Sequence, residues 1–266
     1  SKLDISDFYK ETAGKNTLLP NQFHPICFLL KSFSMELKNK TAIVTGVSKG
    51  IGLELVKLLL EKGVTVAGWS RNQPKLEHPN FHFFTCDVSQ EESVEKAFQA
   101  TTQKLGTDIR ILVNNAGFGI AGATESFSSE DWKAMFDTNV HGIFYTTKRV
   151  IPGMKVADEG HILNVASIAG LNGVNQFAGY VGTKHAVRGI SHSLYMELRD
   201  FGIKVSTIYP GSIQTNFFDD IPGMQAHENM MRPIDVATTI VQTLETHPNY
   251  FVVDVECRPL RPKGKK

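Results

Sequence analysis

The chain has almost nothing with which to staple or anchor itself. Its 266 residues hold three cysteines, Cys27, Cys86 and Cys257. They are scattered, odd in number and without metal-ligand spacing. That excludes a disulfide scaffold and fits buried, inert thiols in a reducing compartment. No apolar run approaches the ~20 residues of a membrane span, and the longest candidate, Pro25-Ile-Cys-Phe-Leu-Leu30, is far too short. Neither sign of charge is in excess. The formal net charge is +1, so no global field points to nucleic acid or to a membrane. His141, His185, His192 and His227 share no ligand spacing with nearby cysteines or carboxylates, and no metal is expected. Internal repeats, low-complexity tracts and interdomain linkers are missing too.

What is there is an ordinary globular balance, 41% apolar and 21% charged residues. A chain of this length builds a core without staples and forms one α/β domain. Two segments stand apart. Residues 1–34 lack the arginines of a transit peptide, carry Asp4, Asp7 and Glu11, and show no cleavage signature. Ser1-Lys2-Leu3 spells a peroxisomal address that is read only at a C-terminus. Met35 leads straight into the first strand and would make a natural start, so 1–34 is expected to be an N-terminal extension outside the catalytic domain, 35–257. At the other end, residues 258–266 carry five bases, Arg258, Arg261, Lys263, Lys265 and Lys266, and no acid, which reads as a solvated tail.

Between these segments the chain alternates. Thr41–Thr45, Val64–Trp69, Phe81–Cys86, Ile109–Val113, His161–Val165, Lys204–Ile208 and Tyr250–Asp254 are short apolar runs of strand character. Gly50–Glu61, Glu91–Lys104, Ser129–Pro152, Phe177–Phe201 and Ile234–Glu245 have helical periodicity. Strands alternating with helices imply right-handed crossovers, a mainly parallel seven-stranded sheet and helices on both faces. The architecture expected is a single-domain, doubly wound α/β fold. The connection Asn72–Asn80 is too short and proline-broken for a full helix.

Two glycine-rich turns compete for a phosphate-binding role. Gly46-Val-Ser48-Lys49-Gly50-Ile51-Gly52 follows the first strand and runs directly into a helix. Its glycines let the backbone approach a pyrophosphate, which then meets the amides and positive dipole of the helix start. Gly117-Phe-Gly119-Ile-Ala-Gly122 has the usual G-x-G-x-x-G spacing, but its next helix begins only near Ser129. Spacing without strand–helix context is a weak signal. The phosphates are therefore assigned to Gly46–Gly52, and 117–122 is expected to be a flexible active-site loop. A purely structural turn is the alternative. At the end of the second strand, where an NAD enzyme places a carboxylate, this chain has Ser70-Arg71, and Lys49 lies in the glycine turn. Two cations and no acid suit a 2′-phosphate, so NADP is expected over NAD, unless both cations are merely solvated.

The stretch Ser167–Lys184 contains a hydroxyl, a phenol and an ammonium. Tyr180 and Lys184 fall one helical turn apart on one face. A fixed cation beside a phenol favours the phenolate and brings it toward a useful acid/base range. Tyr-x-x-x-Lys alone also arises by chance on solvated helices.

With these residues assembled, residues 37–257 resemble the short-chain dehydrogenase/reductase family. The ordered signature is the turn Thr45–Gly52, Asp87-Val88, Asn114-Asn115-Ala116-Gly117, Asn139, Ser167, Tyr180, Lys184, and Pro210-Gly211 with Thr215. The resemblance implies a Rossmann fold and an NADP(H)-dependent oxidoreductase that moves hydride between nicotinamide and a ketone or aldehyde. It implies Tyr180 as acid/base and Ser167 as the polariser of the carbonyl. Lys184 would bind the nicotinamide ribose and lower the phenol pKa, and Asn139 would hold a water in a proton relay. Asp87 and Val88 would lie along the adenine, Asn114, Ala116 and Gly117 near the ribose, and Pro210, Gly211 and Thr215 near the nicotinamide. A homodimer or homotetramer and a cytoplasmic location follow from the same likeness.

Phe118, Ala169, Gly170, Leu171, Phe177, Phe217, Phe218 and Met224 would line a largely apolar pocket for a neutral carbonyl, with a small lid after Thr215. A regulatory NADP-binding or protein-interaction module of the same fold, with little turnover, remains the rival reading.

Overall fold

A computed structural model describes residues 36–215 and 227–261. The proposed extension 1–34 and the end of the basic tail lie outside the described residues. Seven strands form one sheet: β1 (Thr41–Thr45), β2 (Thr65–Ser70), β3 (Phe81–Thr85), β4 (Ile109–Asn114), β5 (Gly160–Val165), β6 (Ile203–Pro210) and β7 (Asp254–Cys257). Their spatial order is β3-β2-β1-β4-β5-β6-β7, and every pairing is parallel. Parallel neighbours need crossovers, which are supplied by α1 (Gly50–Glu61), α2 (Glu91–Leu105), α3 (Ser129–Phe136), α4 (Gly142–Ala157), α5 (Ala178–Leu198) and α6 (Pro233–Leu244). The expected doubly wound fold is what forms.

The strands are apolar on both faces because both faces are covered. Val44, Val113 and Leu163 pack with Leu55 and Leu59 of α1 and Val236 and Ile240 of α6. Their chain neighbours Ile43, Leu112 and Ile162 turn to the other side and meet Val94 of α2, Val150 and Met154 of α4 and Leu198 of α5. Each such side chain, fully buried, contributes about 1.5–3 kcal/mol over exposure. Strand order reverses between β1 and β4, and the crevice that this opens at the strands' carboxyl ends places the site.

Two elements differ from the sequence expectation. The helix expected over 129–152 is broken by a π turn, Asp137–His141, in which the Gly142 amide bonds the Asp137 carbonyl. It then continues past Pro152 to Ala157, because Val150 and Met154 hold α4 against the sheet on both sides of the proline. The strand expected at 250–254 begins only at Asp254. Upstream of it, the Tyr250 and Val252 carbonyls are taken by the Lys204 ammonium and the Ser206 hydroxyl rather than by a ladder. The 72–80 connection forms no helix.

Candidate active site

A cleft of about 1350 Å³ opens above the carboxyl ends of β1, β4, β5 and β6. The glycine turn forms one wall. Gly46 has φ +72°, and a Cβ there would lie 2.9 Å from the Ala116 Cα. A Cβ on Gly52 would sit 2.3 Å from the Gly46 carbonyl oxygen. Both positions admit no side chain, which makes the turn tight against the following helix. Lys49, at the N-cap of α1, supplies no side-chain cap, so the first amides of α1 are left for the cleft. The competing glycine run leads to a different end. Ser128 Oγ caps α3 by accepting from the Asp131 amide at 2.9 Å, and the Gly122 amide bonds the Gln176 carbonyl at 2.8 Å.

Gly46, Ser48, Lys49, Gly50, Ile51, Ser70, Arg71, Asp87, Val88, Ala116, Gly117, Pro210, Gly211 and Thr215 all line the cleft with Ser167, Tyr180 and Lys184. Lys49 and Arg71 are exposed, and neither is ion-paired among the described residues. Ser70 Oγ is occupied by the Asn72 carbonyl at 2.7 Å. Gly52 packs beneath the turn rather than on the wall.

Asn114 is not on the wall either. Its amide is buried in a network, donating to Asn164 Oδ1 at 2.8 Å and Thr147 Oγ1 at 3.3 Å and accepting from Thr146 at 2.7 Å. The next residue takes the place expected of it, because successive side chains at a strand end point oppositely. Asn115 faces the cleft and donates to the carbonyls of Thr45 at 3.0 Å and Gly46 at 3.2 Å, bracing the glycine turn.

The reacting groups come from three elements. Ser167 follows β5, accepts from the Ala169 amide at 3.2 Å and lies 3.5 Å from the Pro210 carbonyl. Tyr180 sits in the first turn of α5. Lys184, one turn later and 5% exposed, donates to the Val165 carbonyl at 2.9 Å. Burial lowers its pKa to about 8. Burial pushes the Tyr180 phenol up to about 12, against a hydrogen bond with Ser167 that pulls it down. The causes acting on the phenol in this geometry are burial and Ser167, with Lys184 not among them. The ammonium is aimed at Val165 and stands 5.6 Å from the ring centroid. Asn139, 1% exposed in the π turn, spends its side chain on Phe118 and Thr183 rather than on the cleft.

Of the expected substrate-pocket residues, Phe118, Ala169 and Phe177 line the cleft, whereas Gly170 and Leu171 do not. Phe217, Phe218, Met224 and the expected lid lie outside the described residues. Ile120, Ile168 and Val174 join the apolar wall without having been foreseen. Their loops lack periodicity, so only proximity to the quoted motifs could have singled them out. Among the described residues, no cluster could hold a metal ion and no helix is long and apolar enough to cross a membrane.

The family model for short chain dehydrogenases matches residues 40–226. An uncharacterised oxidoreductase of Staphylococcus saprophyticus is 32% identical over 236 residues, covering 85% of this chain and all of that protein. A serine dehydrogenase solved in its closed form with NADP+ superposes with TM-score 0.78 at 27% identity, over 85% of this chain and 97% of its own. ElxO with NADP bound gives TM-score 0.73 at 28% identity, over 82% and 97%. With the glycine turn, the Ser–Tyr–Lys group and the all-parallel sheet in one frame, the chain belongs to the short-chain dehydrogenase family of oxidoreductases.

Proposed function

We propose that the protein is an NADP(H)-dependent reductase of a neutral ketone or aldehyde, with Tyr180 as the acid/base. The observation that carries this reading is that Tyr180, Ser167 and Lys184 border the same cleft as the glycine turn. The residues fit a dinucleotide: Gly46 and Gly52, where a Cβ would strike the Ala116 Cα and the Gly46 carbonyl, keep the turn tight, and α1 presents uncapped amides to the cleft. Lys49 and Arg71, exposed at the rim and without an ion pair among the described residues, suit a 2′-phosphate. NADP in the two related structures supports the same choice.

When bound, the dihydronicotinamide supplies the hydride to the carbonyl carbon. Tyr180 gives its proton to the oxygen as negative charge grows there, and a phenol raised to about 12 is held fully protonated for that step. Ser167 donates a hydrogen bond where the charge develops. Lys184 brings three donors, of which the Val165 carbonyl takes one, and the others serve the nicotinamide ribose. Because the Asn139 side chain is engaged elsewhere, its part in a proton relay falls to the main chain of the π turn, where helical bonding is loosened. Phe118, Ile120, Val174 and Phe177 give the substrate end an apolar wall suited to an uncharged carbonyl.

The test is NADPH oxidation against a panel of aldehydes and ketones. Turnover is expected, with Tyr180→Phe slower by about 10²–10⁴-fold and NADPH affinity retained. Tight NADPH binding without turnover on any carbonyl would replace this reading with a sensor role. Cofactor choice is tested separately: Arg71→Ala should weaken NADPH about tenfold and leave NADH unchanged.

A further inference from the structure

Tyr180 stands in a helical turn that has little stiffness of its own. Phe177 at the N-cap of α5 makes no side-chain cap, and glycines flank the tyrosine at 179 and 182. Each glycine within a helix leaves the unfolded turn more backbone freedom than alanine would, and so weakens the helical turn. The phenol's position therefore has to be imposed from outside the turn.

One side chain is placed to do so. Thr183 has no exposed surface. Its hydroxyl donates to the Tyr180 carbonyl at 2.8 Å and accepts from Asn139 Nδ2 at 3.0 Å. Asn139 gives its other amide proton to the Phe118 carbonyl at 2.8 Å, and its Oδ1 accepts from the Phe118 amide at 3.1 Å. Both amide donors are thus used. Turning the amide over would set its NH2 against the Phe118 N–H and its oxygen against the Phe118 carbonyl, so the orientation is fixed by its partners. A second contact from the same region holds the loop further on, where the Ile120 amide meets Met135 Sδ at 3.4 Å. Phe118, Gly119 and Ile120 are themselves cleft wall. The hydrogen bonds run without a gap from that wall, through Asn139 and Thr183, to the backbone of Tyr180.

We propose that Thr183 is a positioning residue that couples the 117–120 wall of the cleft to the turn carrying Tyr180. A ligand that orders the wall thereby sets the phenol against Ser167, and a loosened wall lets it drift. The proposal rests on the acid/base reading of Tyr180 for its catalytic consequence, but not for the coupling itself. Its rival is a local role, in which the hydroxyl merely tightens one helical turn.

Thr183→Val keeps the shape and removes both bonds, whereas Thr183→Ser keeps the hydroxyl. Hydrogen–deuterium exchange of peptides spanning 117–122 is the first readout. Coupling predicts exchange about tenfold faster or more in Thr183→Val and near wild type in Thr183→Ser, although Thr183 touches no amide of that loop. The second readout is turnover of NADPH with 4-nitrobenzaldehyde. Here kcat should fall about tenfold in Thr183→Val, with NADPH affinity within about twofold of wild type and recovery in Thr183→Ser. Unchanged loop exchange in Thr183→Val, or no recovery in Thr183→Ser, would overturn the proposal. Should Thr183→Val not fold, native-state exchange of the wild-type protein in rising urea decides. Joint opening of the loop and the first turn of α5 supports coupling, and separate opening refutes it. No turnover in wild type would sink the reductase reading while the exchange result still rules on Thr183.

Discussion

Strands β5 and β6 hold buried cations at both ends, and the two ends treat them in opposite ways. At the amino end, Lys204 is 7% exposed and saturated. It donates to the carbonyls of Thr246 at 3.3 Å, His247 at 2.7 Å and Tyr250 at 2.9 Å and to the Thr246 hydroxyl at 3.1 Å. Beside it His161 bonds Ser206 at 2.8 Å, and burial, reinforced by the Lys204 charge, drops its pKa to about 3. At the carboxyl end, Lys184 is equally buried but gives one bond, to Val165. The amino-end cation closes a loop onto the sheet. The carboxyl-end cation keeps unspent donors at a cleft, which costs stability and leaves binding capacity.

The strongest way to break this contrast is Lys184→Met. Turnover should fall about 10²-fold, while the melting temperature holds or rises, because a desolvated ammonium is gone. A clear drop in melting temperature would show that Lys184 is structural after all. Lys204→Met should do the reverse. It takes one donor from three carbonyls and a hydroxyl, of which the His247 carbonyl still keeps the Tyr250 amide, and should cost about 2–4 kcal/mol in urea titration, with kcat per folded molecule within about twofold.

The most gradual effects lie in pH. Unfolded Lys184 titrates near the ordinary lysine value of 10.5 and the folded group near 8. Between those values the unfolded chain holds the extra proton, so stability rises with pH, by at most about 1.4 kcal/mol per pH unit. Subtracting the Lys184→Met curve from wild type should isolate that rise. His161, 6.5 unfolded and about 3 folded, has the same sign in another window: its stability is lost as pH falls from 6.5 toward 3. A His161→Leu difference curve should therefore move only on the acid side. Overlap of the two difference curves would show that the ends are not independent.

The sequence carried the alternation of strands and helices because both faces of the sheet are covered, which keeps β1, β4 and β5 almost wholly apolar. It carried Tyr180 and Lys184 because a four-residue spacing survives any local detail. It misplaced β7 because Phe251-Val-Val has strand character, whereas Asp254-Val-Glu-Cys257 is an alternating edge whose strand state is imposed by β6. It chose Asn114 over Asn115 because a motif does not say which side chain ends up above the sheet. Lys204 was silent, since a lysine within a strand ordinarily reads as exposed. The π turn was silent too, for Asp137-Thr-Asn-Val-His141 contains neither glycine nor proline.

That π turn also constrains how the gene can change length. The turn closes its hydrogen bond over five residues instead of four, so it holds one residue more than an α turn, and losing one codon within 137–141 would restore an ordinary turn with α3 and α4 still in register. Losing a second codon would swing α4 by about 100°, and Ile143, Thr146, Thr147, Val150 and Met154 would leave the sheet together. Loops elsewhere on the molecule can gain or lose residues one at a time, whereas this segment can give up one residue and no more.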